Sequence, residues 1–522
     1  MNTEEGRVRG CRAFMRKSII ICLLLLCILF GTSSCGRTNR QGVLTVGGKT
    51  GIPKEAYKNR TDIQEVVIKD GVTEIGDDAF RYCSNLKKVT IPNSVTKIGM
   101  CAFQGCSSLT EIVIPDSVTE IGKTAFADCS SLEKAVLSEN LKELSLFLFS
   151  SCSSLKEIKI PKGIELIPCF VFNGCTGLQS IDVAPDNSAY VSVDGVVFNR
   201  KMTKVIVCPG GKSGSYVIPE GIRVLDISAF CECRELTEIK LPDGLRVIGP
   251  WAFSFCTSLA EISIPDSVQN INLHAFEYCS SLTEIILPPS LEIIESKAFQ
   301  MCTSLTQVTI PDSVTEIGAF AFLGCTAIEE LELSHNTVQI RSGAFKDCTS
   351  LKKMQLPESV TKIADRAFAG CTGLTEILIG DQVSEIGYNA FWKCSSLTSL
   401  KLPDAMTEIA EHLCDGCEAL TDVKLPKDIR GIGGYAFANC RSLQELSIPE
   451  GVTTLGWYII KDCSSITSIY IPASIESELN SALDGCESLK EIWYGGTKEQ
   501  WDEITYIYDG CTFDNMTIHF AE

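Results

Sequence analysis

Cysteine is the residue type in this 522-residue sequence whose number and spacing most suggest chemistry. Of the 27 cysteines, 17 recur at a step of 23 residues, from Cys83 to Cys175 and, after a gap, from Cys233 to Cys486. A thiol can act as a nucleophile, a metal ligand or half of a disulfide. Because disulfide frameworks have uneven spacings, the even column predicts a ladder of free, buried thiols. Oxidised pairs are the alternative, since an exported protein can form them.

Two close cysteine pairs and four histidines are the other candidates for chemistry. Cys414 and Cys417 match Cys-x-x-Cys, but they occupy the phenylalanine and cysteine positions of one repeat, which favours two core residues. Cys231 and Cys233 fit no zinc motif. Zinc-protease, serine-hydrolase and phosphate-loop motifs are not found in the sequence. The sequence therefore predicts a protein that is not an enzyme, with no catalytic residue, no metal site and no cofactor.

A 23-residue sequence repeat accounts for the 23-residue spacing of the cysteines. "LTEIVIPDSVTEIGKTAFADCSS" at 109–131 returns almost unchanged as "LTQVTIPDSVTEIGAFAFLGCTA" at 305–327. A repeat of 20–50 residues is typical of a solenoid. "IVI" predicts a strand ended by Pro115, "VTEIG" predicts a second short extended piece with a bend at Gly122, and "KTAFADC" predicts a single helical turn. The residues expected to face inward are Leu109, Ile112, Ile114, Val118, Ile121 and Phe126.

The repeat is needed because no single coil can bury that apolar set alone. Stacked coils place each side chain against its counterpart above and below, and the "IVI" segments pair as a parallel sheet. At 45 % hydrophobic and 21 % charged residues, the composition is that of a folded chain. The predicted fold class is a β-rich α/β solenoid of 23-residue coils, with one hairpin-bearing insert and a C-terminal cap.

The consensus "LTEIxIPdSVTeIGxxAFxxCsSL" resembles the leucine-rich repeat of the BspA-type surface proteins, over about residues 60–490. The resemblance implies a right-handed leucine-rich-repeat superhelix on the outside of an anaerobic bacterium. It also implies a binding role, because members of that family are adhesins for host proteins such as fibronectin and fibrinogen.

The outward-facing residue two places after each repeat leucine is acidic in many coils, and the net charge is −19. This charge argues against nucleic acid and against an anionic membrane surface as partners. The acidic column is either a solvated face that maintains solubility or a docking strip for basic protein segments, with calcium bridging as an added option. Tyr470 and Trp493, near Trp457 and Tyr458, are aromatic candidates for binding. The predicted binding face contains Glu111, Glu157, Glu238, Glu261, Glu284, Glu330, Glu376, Asp422, Glu445, Tyr470 and Trp493.

Six segments follow from the pattern. The apolar run Ile19–Phe30 follows Arg16 and Lys17 and precedes Cys35, which predicts a lipoprotein-type signal with lipidation at Cys35 and a true start at Met15. Asp194-Gly195 predicts a hairpin turn in the insert, "KEQWDEI" a short helix and "MTIHF" a last strand. The segments are 1–35 signal peptide, 36–58 tether and N-terminal cap, 59–183 first repeat block, 184–218 insert, 219–489 second repeat block and 490–522 cap.

The function predicted from these features is that of a lipid-anchored, non-catalytic surface protein that presents its solenoid to a host or extracellular protein. Two alternatives stay open: a scaffolding lipoprotein of the cell envelope, and a carbohydrate-binding module of a polysaccharide system. Glycan binding that survives high salt would favour the carbohydrate option, because stacking on tryptophan or tyrosine is less screened by salt than ion pairing.

Overall fold

The structure is a computed structural model that describes residues 38–475, 482–504 and 516–521. The chain divides into two compact units, Met1–Leu155 and Lys156–Glu522. The predicted signal peptide, with Met15 and Cys35, lies outside the described residues. In the part of the chain that the structure describes, no helix is both long and apolar enough to cross a membrane.

The first unit is a parallel solenoid with two sheets. Its strands are β1 (Val43–Val46), β2 (Glu65–Ile68), β3 (Glu74–Ile75), β4 (Lys88–Thr90), β5 (Lys97–Ile98), β6 (Glu111–Val113), β7 (Glu120–Ile121) and β8 (Lys134–Val136). The longer strands β1, β2, β4, β6 and β8 are parallel neighbours, and β3, β5 and β7 form the second sheet. Paired residues such as Glu65 and Lys88 are one repeat apart, so each coil adds a strand to each sheet. The solenoid predicted from the repeat is confirmed.

The second unit repeats this architecture over more coils. Its elements are β9 (Glu157–Ile160), β10 (Ser180–Val183), β11 (Tyr190–Val193), β12 (Val196–Asn199), β13 (Lys204–Val207), β14 (Ser213–Val217), β15 (Val224–Leu225), β16 (Glu235–Lys240), β17 (Val247–Ile248), β18 (Glu261–Ser263), β19 (Asn270–Ile271), β20 (Glu284–Ile286), β21 (Ile293–Ile294), β22 (Gln307–Thr309), β23 (Glu316–Ile317), β24 (Gln339–Ile340), β25 (Lys353–Gln355), β26 (Lys362–Ile363), β27 (Glu376–Leu378), β28 (Glu385–Ile386), β29 (Ser399–Lys401), β30 (Glu408–Ile409), β31 (Asp422–Lys424), β32 (Gly431–Ile432), β33 (Glu445–Ser447), β34 (Thr454–Leu455), β35 (Ser468–Ile471), β36 (Glu491–Tyr494), the helix α1 (Lys498–Ile504) and β37 (Thr517–Phe520). Among its described strand pairs, only β11–β12 and β12–β13 are antiparallel.

The predicted inward set of one coil is confirmed. Leu109, Ile112, Val118 and Phe126 are fully buried, and Ile114 and Ile121 nearly so. On β6 the side chains alternate, with Glu111 and Val113 exposed on either side of Ile112. This alternation follows from the two-residue period of a strand, which turns successive side chains to opposite faces.

The "KTAFADC" segment is not a helical turn, so that prediction is wrong. Thr124 and Asp128 adopt left-handed backbone conformations, with φ of 55° and 60°. The amides of Phe126 and Asp128 donate to the carbonyls of Leu148 and Ser150 in the next coil, at 3.1 and 2.8 Å. An α-helix would direct these amides to carbonyls four residues back instead. At alternate residues the bonds between coils therefore replace local ones, while the Ala127 amide still donates to the Thr124 carbonyl at 3.1 Å. The bonds between coils offset a left-handed cost of about 1–2 kcal/mol per non-glycine residue.

Phenylalanines from successive coils stack in the core. In the second unit Phe276 lies between Phe253 and Phe299, with ring centroids 5.2 and 5.5 Å apart and nearly parallel planes. Phe80, Phe103 and Phe126 form the same stack in the first unit, at 5.2 and 5.4 Å. These are offset-stacked distances, which add to the free energy gained from burial alone.

The regular cysteines form a ladder of hydrogen-bonded thiols. From Cys256 to Cys486 each Sγ–H of the column donates to the carbonyl of a core residue in the preceding coil; Cys279 donates to Phe253 and Cys302 to Phe276, at 3.1 and 3.2 Å. No disulfide joins two cysteines among the described residues. Burial raises the pKa of the Cys279 and Cys302 thiols well above the usual value. The thiols thus give buried carbonyls a second donor beside the amide three residues along, while filling space with a small apolar group.

Gly122, directly after the end of β7, permits close approach of coils. A Cβ on Gly122 would lie 2.3 Å from the backbone nitrogen of Met100, far inside van der Waals contact. Gly99 and Gly318 meet the preceding coil in the same way, at 2.5 Å from backbone atoms. The "IG" step of the repeat therefore marks where two backbones nearly touch.

The insert contains the predicted hairpin. Asp194 and Gly195 both have positive φ, 52° and 77°, as a two-residue turn between β11 and β12 requires. β13 then returns to the solenoid by pairing in parallel with β15. Phe198 on β12 is fully buried within the core of the second unit. These contacts make the insert an enlarged coil that packs with its neighbours in the second unit.

The predicted C-terminal helix and strand are both present, as α1 and β37. β37 pairs in parallel with β36. Trp501 on α1 is buried and makes an edge contact with Tyr494 of β36, with ring centroids 5.2 Å apart. The helix thus covers the inward side of β36, opposite to Trp493.

Candidate binding surface

The outward side chains of the longer strands form the candidate binding surface in each unit. Most of the predicted acidic residues begin a strand, while Glu238 lies within β16 and Glu330 forms an isolated bridge with Lys353. Glu376 is half-exposed and the other predicted carboxylates are exposed. The position of the column relative to the sheet is as expected, and its role stays a prediction.

In the first unit this column is not an acidic strip. Lys88 and Lys134 stand in the same column as Glu65 and Glu111, one coil apart. The Lys88 and Lys134 ammonium groups lie 3.7 Å from Glu65 and 3.2 Å from Glu111. Alternating charge along the ladder relieves the repulsion that a run of carboxylates one strand apart would produce. This alternation is not apparent when only the acidic residues at this position of the repeat are counted in the sequence.

In the second unit three carboxylates follow one another without such relief. Glu238, Glu261 and Glu284 occupy successive coils, and Glu238 lies directly opposite Glu261 in the sheet. Within residues 156–475 no lysine or arginine forms an ion pair with these three. Farther along, Lys353 pairs with Glu376 at 3.1 Å. The column of this unit is therefore acidic from Glu238 to Glu284 and is neutralised locally where Lys353 meets Glu376.

An open groove of about 780 Å³ lies along the strand ends of the first unit. Its floor carries two aliphatic side chains, Val113 and Val136, which are 51 % and 40 % exposed and lie opposite each other in the sheet. One side carries the ion-paired column with Glu111. The other side carries Asp116 and Glu139, which belong to the turns after the strands. The groove combines an apolar floor with charged rims, which is the usual composition of a protein-binding surface.

The last strands of the second unit carry an aromatic strip, defined as Tyr470, Trp493 and His519. The three residues lie opposite one another on β35, β36 and β37. The rings of Trp493 and His519 stack at 3.9 Å with an interplanar angle of 11°. Tyr470 and Trp493 were predicted from the sequence, whereas His519 was assigned to the cap. The only signal for His519 was its alternation within "MTIHF", and the distance of that strand from the repeat concealed it.

The Tyr470 hydroxyl donates to the Glu450 carboxylate. This hydrogen bond is the main reason why the pKa of Tyr470 rises to about 12, since loss of the phenolic proton would place two negative oxygens together. Tyr470 therefore acts as a hydrogen-bond donor at neutral pH.

Trp457 and Tyr458 do not extend that strip. They lie in the turn that follows β34, and Tyr458 packs on Tyr435, with centroids 5.0 Å apart. Lys461 covers the Tyr458 ring at 4.7 Å. Trp457 is 69 % exposed, and no ring contact joins it to Tyr470 or Trp493 within the described residues.

The remaining cysteine and histidine candidates either lie in the core or contact a neighbouring carboxylate. Cys414 and Cys417 are fully buried in the core. His274 and His412 each contact a carboxylate one turn along, Glu277 at 2.8 Å and Asp415 at 2.9 Å. Within the described residues no group of three histidine, cysteine, aspartate or glutamate side chains can hold a metal ion. The acidic column there offers calcium no converging ligand set.

Comparison with known proteins gives a family match and several similar structures. The model of the BspA-type leucine-rich repeat region matches residues 50–191, 212–329, 315–426 and 407–520. A leucine-rich repeat protein from Bacteroides ovatus is 24 % identical over 94 % of this chain and 100 % of its own, with a TM-score of 0.46. One from Eubacterium ventriosum is 22 % identical over 83 % and 93 %, with a TM-score of 0.39. The pneumococcal vaccine antigen PcpA is 18 % identical over 93 % and 96 %, with a TM-score of 0.37. No curated protein matches the sequence.

Proposed function

Because this chain belongs to the BspA-type leucine-rich repeat family, we propose that it is a non-catalytic surface protein that binds other proteins through the outer faces of its sheets. The groove of the first unit is the observation that carries this proposal. Val113 and Val136 are exposed on the floor of an otherwise charged surface. A contiguous exposed apolar surface with a polar rim marks an interaction site, because covering it releases about 25 cal/mol per Å² of apolar area.

The partners that we propose are host extracellular-matrix or plasma proteins such as fibronectin or fibrinogen, so that the protein is an adhesin. The family membership supports this choice. The net charge of −19 also supports it, because it favours partners with basic segments. A scaffolding role within the cell envelope is the alternative, and it predicts no affinity for such host proteins.

Placing a charge on the groove floor will weaken binding to immobilised fibronectin or fibrinogen. We expect Val136→Glu to lower the affinity about tenfold or more, because a partner would have to desolvate the new carboxylate. Surface plasmon resonance measures the change, and circular dichroism checks that the fold is retained. Ile293→Glu is the matched control, since Ile293 is an aliphatic residue of similar exposure on the short strand β21, outside the surface that the longer strands form.

Equal binding by Val136→Glu and the unaltered protein would remove the groove from the binding surface. No binding of either host protein by the unaltered chain would favour the scaffolding alternative.

We also propose that Cys35 accepts a lipid after removal of the segment before it, which would anchor the protein at the cell surface. The apolar run Ile19–Phe30 and the small residues Gly31–Ser34 before Cys35 support this assignment. Cells grown with labelled palmitate will label the unaltered protein, and Cys35→Ala will lose almost all of the label. Cys27→Ala, within the apolar run, is the control and keeps it. Labelling of Cys35→Ala at the normal level would assign the lipid elsewhere.

A further inference from the structure

The aromatic strip of the second unit is held together by strand pairing. Tyr470, Trp493 and His519 come from three successive strands, and parallel pairing sets them in register. Trp493 is 46 % exposed even though His519 stacks on one side of it. An indole held in place by a stacked neighbour loses little conformational freedom when a ligand binds, which favours its use as an anchor.

A glycine makes room for the tyrosine end of the strip. A Cβ on Gly495 would lie 2.7 Å from the Tyr470 hydroxyl oxygen and 3.3 Å from a Glu450 carboxylate oxygen. The Tyr470 hydroxyl and the Glu450 carboxylate therefore occupy space that any other residue at 495 would take. Their hydrogen bond fixes the tyrosine ring and places a carboxylate beside it.

The charge around the strip is negative. Glu445 and Glu491 begin β33 and β36 and are exposed, and Glu450 flanks Tyr470 on the other side. The strands β33, β35, β36 and β37 contain no lysine or arginine, and Lys490 stands just before β36. An aromatic ring next to a carboxylate attracts a cation in two ways: the ring through its quadrupole, and the carboxylate through its negative charge.

We propose that this strip recognises a lysine or arginine side chain in an extended, basic segment of a partner protein, with the cation held at Trp493 and Tyr470 between Glu450 and Glu491. This inference deepens the proposed function, on which it rests, by naming the chemical class of partner that the C-terminal strands take. The complementary charge, the exposed Trp493 ring and the half-buried Tyr470 ring held by Glu450 favour a cationic peptide over a neutral sugar.

The test uses the full chain and a fluorescein-labelled decapeptide of alternating arginine and serine. A second peptide carries citrulline, the neutral analogue, in place of every arginine. Fluorescence anisotropy gives both affinities. We expect binding of the arginine peptide, and an affinity about fivefold lower or more for Trp493→Leu and for Glu491→Gln, because a single cation–π contact or charge-assisted contact has about that effect. We expect the citrulline peptide to bind at least tenfold more weakly.

Trp457→Leu is the matched control, because it removes an even more exposed indole that lies outside the strip. It should bind the arginine peptide as the unaltered protein does. Equal affinity for the two peptides, or unchanged affinity in both Trp493→Leu and Glu491→Gln, overturns the proposal. Binding of a neutral oligosaccharide that is lost in Trp493→Leu, without binding of the arginine peptide, also overturns it in favour of a sugar site.

This result is separable from the proposed function. Loss of host-protein binding in Val136→Glu with no peptide binding at the strip would leave the groove proposal standing alone. Peptide binding at the strip with no affinity for fibronectin or fibrinogen would instead leave the strip standing and remove the adhesin role.

Discussion

Raising the pH from 9 to 10 will lower the free energy of unfolding by about 1 kcal/mol for each ladder thiol that stays protonated in the fold. Burial raises the pKa of these thiols above the ordinary value of 9.0. The unfolded chain therefore binds fewer protons than the folded chain above pH 9, so stability is fully present below pH 9 and is lost as the pH rises. The ladder thiols in which burial is the main cause are Cys83, Cys106, Cys256, Cys279, Cys302, Cys325, Cys348, Cys371, Cys394 and Cys440, and burial acts in the same way on Cys414 beside the ladder. Urea denaturation followed by circular dichroism at several pH values measures the fall.

A double variant isolates the contribution of the thiols. Cys279→Ala with Cys302→Ala removes two ionisable groups, so its loss of stability between pH 9 and 10 should be smaller by about 2 kcal/mol. Ser280→Ala is the control, because it removes a neighbouring hydroxyl that does not ionise in this range and leaves the pH dependence unchanged. If the double variant and the unaltered protein lose the same free energy, the thiols do not govern alkaline stability.

Phe276→Ala will lower the free energy of unfolding by about 3–5 kcal/mol at neutral pH. Phe276 is fully buried, and it lies between the rings of Phe253 and Phe299. Truncation removes both stacking contacts and leaves a cavity that the rigid coils on either side cannot fill. The midpoint of urea denaturation at constant slope measures the loss.

The control for Phe276→Ala is Trp457→Ala, which removes a larger aromatic side chain that is mostly exposed. We expect it to change the free energy of unfolding by less than about 1 kcal/mol, as most surface substitutions do. A similar loss in both variants would show that stacking between coils is not what stabilises the second unit. Limited proteolysis adds an independent readout, because Phe276→Ala should expose new cleavage sites in the coils that flank residue 276.

Several local features could be read from the residues because their causes are local. The inward-facing set from Leu109 to Phe126 could be predicted from the spacing of apolar residues. That spacing shows which face of the local segment is shielded from water. The hairpin at Asp194-Gly195 follows from a turn that needs positive φ at both residues. The short helix "KEQWDEI" and the strand "MTIHF" were also foreseeable from composition and alternation. None of these needs knowledge of another coil.

Other features depend on which atoms of neighbouring coils meet. The left-handed residues Thr124 and Asp128 donate their own amides to carbonyls of the next coil, and the sequence of one coil does not contain that partner. The pairing of Lys134 with Glu111 likewise requires that their columns coincide. Similarly, the contact of Trp493 with His519 joins two residues that are separated along the chain by the segment containing α1.

The amino-acid sequence by itself determined the repeat length, the core residues of each coil and the need for coils to stack, because periodic burial of apolar groups leaves a pattern that a single chain records. Only the tertiary structure decided how coils bond to each other, which charges cancel and which aromatic side chains lie together. The physical reason is that hydrogen bonds, ion pairs and ring stacking act over a few ångströms between atoms of different coils, so they depend on the register in which those coils pack.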